Sequence, residues 1–81
     1  MEQVKFREEK NMVITRQDSV VDECTEIMVQ GKVIYYTPKS DRRKKEIAGI
    51  YENRERATEI FSEMTCEGWN SNNPKYIMPI N

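Results

Sequence analysis

Between Glu46 and Trp69 the chain reads EIAGIYENRERATEIFSEMTCEGW, and its hydrophobic period changes from two residues to nearly four within a few positions. That change marks a strand feeding an amphipathic helix. Ile47, Gly49 and Tyr51 fall on one face of the extended segment, with Ala48 and Ile50 on the other. Asn53 offers a side-chain acceptor to the orphan N–H groups of the first turn, and Ala57, Ile60, Phe61 and Met64 follow at i, i+3, i+4 and i+7. The spacing predicts a helix over Arg54 to Glu67. Gly68 is expected in the left-handed region just past the last turn, with Trp69 folding back on Met64 or Thr65.

The opposite side of this helix carries Glu55, Glu59, Glu63 and Glu67 at successive i, i+4 positions with no lysine between them. Each like-charge pair costs roughly 0.2–0.5 kcal/mol on an isolated helix. Arg54 and Arg56 sit at the positive end of the macrodipole and Glu67 at the negative end, so charge opposes the dipole at both ends. The row reads either as a solvated face, its repulsion screened by salt, or as a docking surface for a basic partner.

The remaining apolar runs are short and β-rich. Val4 and Phe6 form a weak strand, EEKN a turn, and Met12 to Ile14 a second run. CTEIMVQGKVIYYT, Cys24 to Thr37, reads as a hairpin around Gln30 and Gly31, where glycine supplies positive φ. Val33 to Thr37 then pairs with Ile47 to Tyr51 across a charged loop. NSNNP is a cluster of turn formers, and Tyr76 to Ile80 makes a last strand that Pro79 confines to an edge or an end. The expected fold is α+β: an antiparallel sheet of about five strands with one helix packed on one face, in the order β-β-β-β-α-β. Residues 1–81 form one small domain, with 1–11 a weak strand or an arm.

One helix covers only one face of a sheet. Tyr35 and Tyr36 are adjacent and point to opposite sides, so one of them, with Val33 or Ile34, faces away from the helix. The outward tyrosine is available to a second copy of the chain, or to a base or small ligand stacking between protomers.

Thirteen basic and 14 acidic residues give a net charge of −1, which argues against whole-surface binding to nucleic acid or anionic membrane. Five of the seven residues from Lys39 to Lys45 are nevertheless basic. Lys39, Arg42, Arg43, Lys44 and Lys45 are the candidate anion or nucleic-acid site, against the plainer reading of a solvated, edge-protecting loop. Cys24 and Cys66 lie 42 positions apart and the chain has no histidine, so no metal set is expected and two reduced thiols are. No run approaches the ~20 apolar residues of a membrane span, and MEQVKFREEK has no apolar leader core, so a cytoplasmic location and no membrane partner are expected. No nucleophile with its base, buried carboxylate pair or phosphate loop is recognisable. No enzyme activity, catalytic residue or cofactor is expected.

MVITRQDS at Met12 to Ser19, IAGIYENRERATEIFSEM at Ile47 to Met64 and YIMP at Tyr76 to Pro79 resemble a group of small phage, prophage and mobile-element proteins of Firmicutes. In that group an IRSQD-like segment opens the domain, an LGEY strand leads through a turn to a helix with an ERA motif, and YxMP closes it. Tyr51 keeps the aromatic position of the strand, while Ala48 and Ile50 depart from its usual leucine and glutamate. The resemblance implies a mobile-element origin and carries no established activity. The expectation is a non-enzymatic interaction protein, homo-oligomeric, that binds and modulates a host or phage protein, a counter-defence inhibitor being one version. A nucleic-acid accessory protein and a small-ligand binder are the alternatives.

Overall fold

Residues that alternate between apolar and polar lay residues 3–50 into a meander. The computed structural model describes residues 3–69 and 74–81, with side chains from residue 11 onwards. Strands β1 (Gln3–Thr15), β2 (Val21–Gln30), β3 (Val33–Pro38) and β4 (Glu46–Ile50) pair antiparallel in succession. Helix α1 (Arg54–Glu63) runs on into a π-helical turn, Met64–Gly68, and carries the chain back so that β5 (Lys75–Ile77) lies parallel to β1. A parallel pairing needs such a crossover, and the helix supplies it. The sheet order is β4-β3-β2-β1-β5: a five-stranded mixed sheet with one helix on one face, in the expected α+β order.

The predicted stripe seals the inner face. Ala57, Ile60, Phe61 and Met64 are buried against Met12, Ile14, Ile27, Ile34 and Tyr36, and Trp69 is fully enclosed in the same core. The Asn53 side chain caps the helix by accepting from the Arg56 N–H at 2.8 Å. At the β2–β3 turn Gly31 adopts φ +60°, the left-handed conformation that favours glycine.

The last strand, expected antiparallel over Tyr76 to Ile80, is instead Lys75–Ile77 and parallel to β1, because the helix crosses the chain over before it. Three further local expectations change. EEKN is no turn: β1 runs through it, and the mismatch is absorbed as a register shift between Arg7 and Met12. In β4, Gly49 pairs with Ile34 but Ile47 pairs with Tyr35, so Ala48 is an extra residue. This bulge breaks simple alternation. Ala48 and Tyr51 both face the core, whereas Ile47 and Ile50 face outward. Gly68 has no left-handed φ, because the helix widens into a π turn in which the Trp69 N–H donates to Met64 O at 3.0 Å. The missing side chain at Gly68 serves packing instead: a Cβ there would lie 3.0 Å from Met12 Sδ. Of the NSNNP cluster, 70–73 lie outside the described residues.

Candidate interaction surfaces

Because the stripe of α1 faces inward, its opposite side must meet water. Glu55, Glu59, Glu63 and Glu67 are all exposed. Two of them have intramolecular partners: Glu59 pairs with Arg56, and Glu63 accepts a 2.6 Å hydrogen bond from the Tyr76 hydroxyl. Burial and this carboxylate together raise the Tyr76 pKa, since both favour the protonated phenol. Glu55 and Glu67 make no ion pair among the described residues.

The loop between β3 and β4 is organised by Asp41. Its carboxylate accepts from the Arg43 N–H at 3.0 Å, and its carbonyl accepts from the Lys44 N–H at 3.1 Å. Asp41 also pairs with the Arg43 side chain, and Lys39 reaches Glu23 at 3.1 Å. Lys39, first, and Asn11 hold the Glu23 carboxyl below its usual range. The Lys45 ammonium lies 3.7 Å from Met28 Sδ, while Arg42 and Lys44 are exposed and without an ion pair among the described residues. Five positive charges in sequence thus become a loop with part of its charge answered locally.

The two tyrosines separate by face. Tyr36 is buried in the core, its hydroxyl donating to Asp22 Oδ2 at 2.8 Å and accepting from Arg16 Nη1 at 3.4 Å. Burial first, then Asp22, raises its pKa. Tyr35 lies half-buried on the outer face between Met28 and Ile47. Cys24 is buried, which pushes its thiol up to about 12, while Cys66 is exposed.

Sequence reasoning missed the cluster that closes the sheet. Gln17 follows β1, yet it serves the free edge of β4: its N–H donates to Ala48 O at 3.0 Å, and its Oε1 accepts from the Ile50 N–H at 2.8 Å. Its Nε2 donates to the carbonyls of Ile50, Pro79 and Ile80 at 3.0–3.1 Å. One side chain thus substitutes for a neighbouring strand and ties β4 to the C-terminal strap. The Tyr51 hydroxyl donates to Pro79 O at 2.8 Å, its ring lying so close over Gly49 that a Cβ there would be 2.7 Å from the phenol oxygen. Arg56 adds two bonds to Asn81 O, at 3.1 and 2.8 Å. Around this strap lies an open cavity of about 620 Å³ lined by Ile50, Tyr51, Asn53, Arg56, Ile80 and Asn81. The residues had been visible only as fragments of MVITRQDS, the ERA segment and YIMP, whose convergence in space no local pattern discloses.

The molecule is thus an α+β protein whose curled mixed sheet is closed on one side by a helix and across one edge by a glutamine. No protein family, curated protein or solved structure matches the chain. Among the described residues no cluster of three or more His, Cys, Asp or Glu is placed to hold a metal, and no helix is long and apolar enough to cross a membrane.

Proposed function

We propose that this is a non-enzymatic interaction protein of phage or mobile-element type, which binds and modulates a host or phage protein while itself homo-oligomeric. The observation that carries this reading is the acidic ridge. A helix sealed into the core on one side holds Glu55 and Glu67 in water without ion-pair partners among the described residues. Such a preorganised row steers a basic protein surface by complementary potential. Counter-defence inhibition is one form that such binding takes, the phage-like motifs supplying the context.

The test is affinity capture from host lysate with the wild type and with Glu55→Lys/Glu67→Lys. A host protein retained by the first and lost by the second is the expected result. Equal recovery by both, or recovery of the bait alone, contradicts the reading.

The exposed Arg42 and Lys44 favour a second reading, a nucleic-acid accessory protein with Lys39, Arg43 and Lys45 in support and Tyr35 as an outer-face aromatic. With Lys39 and Arg43 already paired to carboxylates, fewer charges remain for phosphates. An electrophoretic shift at low salt that vanishes with Arg42→Glu/Lys44→Glu would establish it over the first.

A further inference from the structure

We propose that two copies of this chain stack through the outer face of β2, β1 and β5, about a two-fold axis running along β1. The proposal rests on the homo-oligomeric reading above and names the face that carries it.

Residues paired across neighbouring strands share a face of the sheet. The registers therefore define two outer rows, Glu23–Val13–Lys75 and Val21–Thr15–Ile77. Both turn away from the helix. Met12 and Ile14, on either side of Val13, are fully buried, whereas Val13 is 40%, Val21 63% and Ile77 74% exposed. Lys75 is exposed, and the Glu23 side chain is 41% exposed.

A two-fold axis parallel to β1 and midway between two facing sheets preserves strand direction and exchanges left for right. It lays β2 of one copy over β5 of the other. Glu23 then meets Lys75, Val21 meets Ile77, and Val13 and Thr15 each meet their own counterparts. Acid lies over base and aliphatic over aliphatic, in both rows, by a single operation. An axis across the strands instead sets Glu23 over Val21 and Lys75 over Ile77, leaving each charge against an aliphatic chain. Charge and apolar pattern are therefore self-complementary in one orientation only, which is the property of a surface made for its own copy. A shallow concavity of about 370 Å³ beside Ile77, lined also by Val13, Thr15, Lys75 and Tyr76, gives the incoming Val21 room. Aligned packing of two sheets is an ordinary arrangement.

Sedimentation equilibrium at micromolar to tens-of-micromolar concentration tests this, with circular dichroism as the control for folding. The wild type is expected to dimerise. Lys75→Glu, which breaks no ion pair found among the described residues, weakens the dimer about tenfold because it loses two symmetric pairs, and Glu23→Lys weakens it at least as much because it also breaks the pair with Lys39. Glu23→Lys/Lys75→Glu in one chain restores both pairs between copies and dimerises more tightly than either single variant. Val13→Asp gives a folded monomer. A wild-type dimer indifferent to all four variants overturns the proposed face and leaves self-association standing. A wild type that stays monomeric overturns both, with the acidic-ridge reading still judged by its own capture experiment.

Discussion

The two faces of the sheet are built from alternate residues of the same strands, yet they have opposite surroundings. On the inner side Ile14, Ile34 and Tyr36 are enclosed by Ile60, Phe61 and Trp69. On the outer side Val13, Val21 and Ile77 keep substantial exposure beside Glu23 and Lys75, and Tyr35 is half-buried next to Met28. The inner face therefore holds the fold together, while the outer face is left over for association. Among the described residues one helix covers the sheet, and the pleat decides which half of each strand it covers.

The largest effect is expected where the helix meets the sheet. Ile60→Ala removes a fully buried side chain and should lower stability by about 2–5 kcal/mol, read by chemical denaturation. For a domain whose total is about 5–15 kcal/mol, that approaches unfolding. A loss below about 1 kcal/mol would mean that the helix does not seal this face.

A smaller loss tests the edge. Gln17→Ala deletes the side-chain bonds to Ile50, Pro79 and Ile80 and should cost about 1–3 kcal/mol, a fall in Tm of several degrees. Gln17→Glu keeps the acceptor for the Ile50 N–H but turns the donor into a second acceptor facing three carbonyls, so it should be no better than alanine. If it matches wild type, the strap does not depend on that amide.

The inner face also holds groups whose pKa burial raises. Cys24 is pushed from 9.0 to about 12 by burial, and Tyr36 and Tyr76 are raised by burial and by carboxylate partners. A raised folded-state value means that the unfolded chain releases its proton first, so this stabilisation is complete below about pH 9 and is lost as pH climbs toward 12. Thermal melts should fall through that window, and less steeply in Cys24→Ala than in wild type once each is compared with its own neutral-pH value.

Much of the inner face was legible in the sequence. The i, i+3, i+4, i+7 stripe, the Asn53 cap and the charged loop between β3 and β4 are local patterns, and local patterns survive folding. The parts that were not legible depend on distant partners. Ala48 becomes a bulge because β3 sets the register opposite it, and Gly68 is needed small because Met12 lies beneath it. Gln17 reaches groups 33, 62 and 63 positions away. The acidic row and the basic loop are exposed as expected; the answering charges of Arg56 and Asp41 are local, at i,i+3 and within the loop, whereas Tyr76 and Glu23 come from distant strands that no local pattern discloses.

The division of labour between the faces is tested most directly by two adjacent positions of β1, Ile14→Ala and Val13→Ala, compared by equilibrium denaturation in the Lys75→Glu background at a protein concentration well below its dimer dissociation constant. Ile14→Ala is expected to cost about 2–5 kcal/mol and Val13→Ala well under about 1 kcal/mol. Equal losses at the two neighbours, or a larger one at Val13, would contradict it.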